Sequence, residues 1–186
     1  MRKIFLVLAV ALLSCGQVFA EGGIERVLEV GLSIGQARHS GYLSEKENTG
    51  LYDLSVRISP AGAKGFFEVF MFGTKTDAST QFGFAQSQEL NIGGVGAGPA
   101  MNVATFDALK LNLGVGFANV HARGTDPVKN DKSFGVFYFS GLAQYQVNEK
   151  WGAYFQSRWM DLNQTNNDDE SFFTLWNNSL GASYKF

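Results

Sequence analysis

The chain has 186 residues, with 15 Lys and Arg against 17 Asp and Glu and a formal net charge of −2. That balance, without a basic patch, argues against a nucleic-acid partner, and a single cysteine excludes a disulfide framework within the chain. Seventeen Phe, six Tyr and three Trp beside 22 Gly and three Pro are a β-rich composition.

Met1 to Ala20 reads as a secretory signal peptide. Arg2 and Lys3 form a positive start, Ile4 to Leu13 an apolar core, and Val18-Phe19-Ala20 a small-residue cleavage site. The core is too short to span a bilayer as a helix, which takes ~20 residues. A rival reading takes Leu12-Leu13-Ser14-Cys15 as a lipoprotein signal with Cys15 acylated. On the cleavage reading, loss of Arg2 and Lys3 moves the net charge from −2 to −4. Residues 21–186 then suit one domain.

Alternation with a period of two runs through the rest of the chain, the mark of strands with one apolar face. From Arg26 to Arg38, Leu28, Val30, Leu32 and Ile34 oppose Glu29, Gly31, Ser33 and Gly35. From Leu51 to Ser59, Tyr52, Leu54, Val56 and Ile58 oppose Asp53, Ser55 and Arg57. The third strand, Gly65 to Gly73, sets Phe67, Val69 and Met71 against Phe66, Glu68, Phe70 and Phe72, and only Glu68 indicates the inner face. The fourth, Gln86 to Val103, is rich in glycine, and Pro99 predicts a bulge or a frayed end because proline cannot donate to a ladder.

Ala108 to Ala122 sets Leu109, Leu111, Leu113, Val115 and Phe117 against Lys110, Asn112, Gly114, Gly116 and Ala118. Ser133 to Val147 and Trp151 to Leu162 alternate likewise. In the closing strand Leu180, Ala182, Tyr184 and the terminal Phe186 share one face, opposite Ser179, Gly181, Ser183 and Lys185.

About eight strands are therefore expected. Polar loops near 39–49, 74–85, 123–132 and 163–170 are long; turns near 60–64, 104–107 and 148–150 are short. Long connections on one side and short ones on the other are the layout of an outer-membrane barrel, with both termini on the periplasmic side. A soluble ligand-binding barrel would also alternate, but its wet face should be rich in Lys and Glu. Here the polar face is mostly Gly, Ser, Asn and Gln, with Glu29, Asp53, Arg57, Glu68, Lys110 and Arg158 set singly among them. That suits a packed, polar barrel interior in which charges pair. The expected fold is all-β: an eight-stranded antiparallel up-and-down transmembrane β-barrel, monomeric, too narrow for an open diffusion pore. Trp151, Tyr145, Tyr184 and Phe186 on the turn side and Tyr52 and Trp176 nearer the loops suit interfacial girdles.

At Gly96-Ala97-Gly98-Pro99-Ala100, at Leu113-Gly114-Val115-Gly116-Phe117, at Val147-Asn148-Glu149-Lys150 and at Gly181 to Phe186 the chain resembles the Ail/Lom/OmpX family of small outer-membrane barrels. It departs at Met101-Asn102, where family members usually carry an aromatic and a basic residue, and lacks their Trp in the following turn. The resemblance implies a non-enzymatic barrel whose loops and protruding strand edges meet host surfaces, serum factors or lipopolysaccharide.

No catalytic, cofactor or metal site is expected. Two histidines and one cysteine leave too few ligands for a transition-metal centre. An enzyme acting on lipid A is the alternative, and it would need His39 or His121 to meet a serine and a carboxylate at the membrane face. A narrow channel is the other. Arg38, His121, Arg123 and Lys129 are candidates for lipopolysaccharide phosphates. The expected partners are outer-membrane lipid, lipopolysaccharide, the barrel assembly machinery acting through the C-terminal strand, and host surface or serum proteins.

Overall fold

The computed structural model describes residues 26–41, 49–78, 88–124, 132–161 and 173–186. The signal-peptide and Cys15 readings fall outside them. Eight antiparallel strands follow in chain order: β1 (Arg26–Gly41), β2 (Thr49–Pro60), β3 (Gly65–Ala78), β4 (Gln88–Phe106), β5 (Leu109–Gly124), β6 (Lys132–Gln146), β7 (Trp151–Asp161) and β8 (Phe173–Lys185). Each pairs with the next, and β8 returns to β1 to close the barrel. Closure leaves no free sheet edge, which is what a sheet needs if it is to sit in lipid. At the seam Leu32 faces both Leu54 of β2 and Ala182 of β8.

Local chemistry sets the short turns. After β2 the chain reverses at Pro60 to Lys64, where Ala63 N–H donates to Pro60 O at 3.1 Å and Gly62 takes a positive φ of 77°. Between β4 and β5 the reversal is two residues long, with Asp107 at φ 50°. Before β7, Asn148 Oδ1 accepts from the Lys150 and Trp151 amides at 2.9 and 2.8 Å, an Asx turn. The chain end is tied to this side: Phe186 N–H donates to Leu28 O and Lys185 N–H to Lys150 O.

The strands run further than expected. β3 continues to Ala78, through Thr74 to Ala78 where a loop was expected, and β4 continues through Ala104 to Phe106. Pro99 lies within a continuous strand, exposed on the outer face. Against β5 the ladder skips Gly98 and Pro99 in unchanged register, and a register shift follows between Asn102 and Ala104.

Side chains from the expected apolar faces point outward; many are exposed, Leu32 at 64%, Ile34 at 75% and Phe117 at 61% among them, whereas Val56 is covered by its neighbours. The opposite faces fill the lumen, including Glu29, Ser33, Asp53, Ser55, Arg57, Glu68, Gln144, Gln156, Arg158 and Asn177. This is an inside-out protein by the standard of water. From Leu109 to Phe117 the outer apolar band on β5 is roughly 20 Å tall at ordinary strand rise and tilt, close to the band of membrane barrels.

One expectation about the lumen needs correction. Its charged and amide side chains lie toward the short turns. Toward the long connections it is apolar, with Ala37, Leu51, Phe72, Ile92, Val120, Ala122, Val136, Met160 and Leu175 all buried. On the same stretch the outer face turns polar: Gln36 and Arg38 on β1, Lys75 on β3, Asn119, His121 and Arg123 on β5, and Ser133 on β6 are exposed. Along β5 the inversion is abrupt, from Phe117 outside and Gly116 inside to His121 outside and Val120 inside. Above that level the wall has the polarity of a barrel standing in water; below it, that of one standing in hydrocarbon.

Candidate functional site

The register brings the buried charges together. Glu29 faces Arg57 across β1 and β2, and Arg57 faces Glu68 across β2 and β3. Arg57 Nη1 donates to Glu29 Oε1 at 2.9 Å and its Nε to Glu68 Oε1 at 3.2 Å. Arg158, from the far wall on β7, donates Nη1 to Asp53 Oδ2 at 2.6 Å and Nη2 to Glu68 Oε2 at 3.3 Å. Glu68 is thus the shared carboxylate of two arginines. Gln156 Nε2 also donates to it, and Gln144 Nε2 donates to Glu29 at 2.7 Å. Such a network is costly to desolvate and tolerable only because nearly every member has a counter-charge.

Aromatic rings complete this layer. The Arg158 guanidinium lies over Phe70, the Arg57 guanidinium lies 4.5 Å from the centre of the Tyr154 ring, and Phe70 meets Tyr138 edge to face at 5.0 Å. Glu68, Phe70, Tyr138, Gln156 and Arg158 are each at most 2% exposed, so they form a packed plug across the lumen. Lys110 does not join them. Its side chain is exposed at the short-turn mouth, too near the strand end to reach the network.

The outer rim holds the remaining candidates. Arg38, His121 and Arg123 are exposed on the outer face above the apolar band; Lys129 lies outside the described residues. Lys75, which sequence reasoning passed over because a loop was expected there, stands in the same ring. It pairs across β3 and β4 with Asn91, which pairs in turn with Arg123. Only the extension of β3 could have shown this.

His121 faces Ser133 across β5 and β6. The Ser133 hydroxyl donates to Asn119 Oδ1 at 2.9 Å instead, and no hydrogen bond joins it to the His121 imidazole. The backbone of His39 pairs with Leu175. Among the described residues no group of three His, Cys, Asp or Glu is placed to hold a metal ion.

At the other end of the barrel Trp151 meets Tyr184 at 4.9 Å and Tyr184 meets Phe186 at 4.9 Å, with Tyr145 exposed nearby. Of the closing-strand residues, Leu180 and Phe186 are among the most exposed side chains, Ala182 is exposed and Tyr184 is half-buried. Near the long connections Tyr52 and Trp176 are exposed on the outer face, and Trp176 Nε1 donates to Ser157 Oγ at 2.6 Å.

No family model matches the sequence, and no curated protein matches it. Solved structures do match in fold. Neisserial surface protein A aligns at TM-score 0.64 with 16% identity, covering 86% of this chain and 97% of its own. Ail, the attachment invasion locus protein of Yersinia pestis, solved with the heparin analogue sucrose octasulfate, aligns at 0.58 with 15% identity over 88% and 100%. The outer membrane protein OprG from Pseudomonas aeruginosa aligns at 0.59 with 12% identity over 87% and 95%. At these identities the likeness is one of architecture, shared over nearly the whole of each chain: this protein has the eight-stranded fold of the small Ail-like outer-membrane barrels.

Proposed function

We propose that the protein is a non-enzymatic barrel of the outer membrane of a Gram-negative bacterium, exported with a cleaved signal peptide, that acts through its outer surface in adhesion, serum resistance or envelope structure. The observation that carries this reading is the inversion of polarity along the wall. An apolar band fit for lipid gives way, toward the long connections, to a ring carrying Arg38, Lys75, His121 and Arg123. Basic side chains just above an apolar band suit lipopolysaccharide phosphates as ligands, since Arg matches phosphate geometry. The long connections beyond them would be the contact surface, since function on a rigid scaffold concentrates in loops. Two of the structures it resembles are, by name, a surface protein and an attachment invasion locus protein.

The test is complementation of cells lacking the protein. Wild type should restore adhesion to host cells or survival in serum. A variant with 42–48, 79–87, 125–131 and 162–172 shortened should reach the membrane and restore neither. Equal rescue by both would contradict the reading. Separately, Arg38→Gln, His121→Gln and Arg123→Gln together should weaken lipopolysaccharide binding several-fold in nanodiscs.

The lipid A enzyme is the second reading, favoured only by Ser133 standing opposite His121. A hydroxyl donated to Asn119 is not poised for an imidazole base. Substituting Ser133→Ala should leave the lipid A mass spectrum of expressing cells unchanged.

A further inference from the structure

The short-turn mouth of the barrel contains a cavity of about 400 Å³ that borders the charge network and has no part in the surface role. It lies inside the barrel mouth, lined by every strand but β7 and by the turn after β2, on the short-turn side of the packed layer around Phe70 and Arg158. Four cationic side chains line it, Arg57, Lys64, Lys110 and Lys185, against one carboxylate, Glu29. Glu29 Oε1 accepts from both Arg57 Nη1 and Gln144 Nε2, so Glu29 and Arg57 offset each other and the excess charge is that of the three lysines. The cavity therefore carries an excess of positive charge in a partly enclosed space, where field lines focus.

The Arg57 side chain is only 3% exposed and is paired with Glu29 and Glu68, so it backs the cavity rather than opening into it. Arg57 would form the floor and the three lysines the rim. Lysine is a compact point charge that suits phosphate oxygens. A dianion offsets three neighbouring ammonium groups better than a single carboxylate does.

We propose that this mouth is a binding site for a phosphomonoester presented from the periplasmic side, with Lys64, Lys110 and Lys185 as its ligands and the Arg57–Glu29 pair beneath them. The size is at the small end of ligand pockets, about 300–1,000 Å³, enough for the phosphate and a short attached group. The phosphate could belong to a lipid head group or to a soluble ester, and the two sources are separable.

The experiment uses the mature chain folded in a maltoside detergent, which carries no phosphate, at low and constant chloride. Backbone NMR signals of Lys110, Asn112 and Lys185 are followed while glycerol 1-phosphate is added. We expect saturable shifts, and binding more than tenfold weaker in the double variant Lys64→Gln, Lys110→Gln. Both lysines are exposed, so the barrel should still fold, which its heat-modifiable gel mobility checks. In nanodiscs, the same signals shifting with phosphatidic acid would assign a lipid head group; response to glycerol 1-phosphate alone would assign a soluble ester. No saturable shift with either probe, an equal shift with added chloride, or unchanged affinity in the double variant would overturn the proposal.

Discussion

The guanidinium carbon of Arg158 lies 3.4 Å from the centre of the Phe70 ring. One face of the cation is thus stacked on an aromatic while its edge holds two carboxylates from β2 and β3. Stacking of this kind favours arginine over lysine, because only the planar, weakly hydrated guanidinium can do both.

Arg158→Leu would leave Asp53 and Glu68 buried beside one remaining arginine. Removing one partner of a buried network costs about 3–5 kcal/mol, read as a lower urea midpoint for unfolding in lipid vesicles. Arg158→Lys should fall between, since one ammonium cannot bridge Asp53 Oδ2 and Glu68 Oε2 while stacking on Phe70. Wild-type stability in Arg158→Leu would show that the network is not what holds the lumen together.

Two glycines of the same barrel should respond oppositely to one added methyl. A Cβ on Gly116 would come within 2.3 Å of Ala97 O and 2.8 Å of Gly98 Cα, both backbone atoms that cannot swing aside. A Cβ on Gly141 would meet nothing within 4 Å. Gly116→Ala should cost about 1–3 kcal/mol, whereas Gly141→Ala should stay within about 0.5 kcal/mol. Equal midpoints for the two variants would contradict the β4–β5 packing.

The plug between the mouth cavity and the long connections predicts silence in planar bilayers. With Phe70, Tyr138 and Arg158 packed across the lumen, single-channel recordings of the wild type should show no conductance steps. Reproducible steps from pure protein would favour the narrow channel.

The tryptophans report the membrane boundary. Trp151 sits with Tyr184 at the short-turn end and Trp176 beside Ser157 toward the other. In variants keeping only one of them, lipids brominated near the head group should quench either fluorescence more than lipids brominated at the chain ends. Stronger quenching from the chain ends at either position would move the boundary away from the polarity inversion.

Much of this architecture was legible in the sequence because a membrane barrel is written in a simple alternation. Val30 to Ile34 and Tyr52 to Ile58 show it plainly, and Pro60, Asn148 and Asp107 mark reversals by ordinary turn chemistry. The strand ends were less legible, for a physical reason. Above the membrane level the outer face becomes polar, so Thr74 to Ala78 resembles a loop although it continues a ladder. The same inversion hid the apolar upper lumen, where Val120 and Ala122 alternate with His121 and Arg123 in the opposite sense to Leu113 and Gly114. Phe66 to Phe72 carries aromatics on both faces, and only the pairing of Arg57 with Glu68 resolves it. The mouth cavity was out of reach, since Lys64, Lys110 and Lys185 come from three strand ends that only closure brings together.

The most direct test of the account is heat-modifiable gel mobility of the protein in purified outer membranes. A closed eight-stranded barrel in lipid should resist detergent when unheated and change its mobility after boiling. One unchanged band, with the protein recovered in the soluble periplasmic fraction, would contradict it and leave a water-soluble barrel in its place.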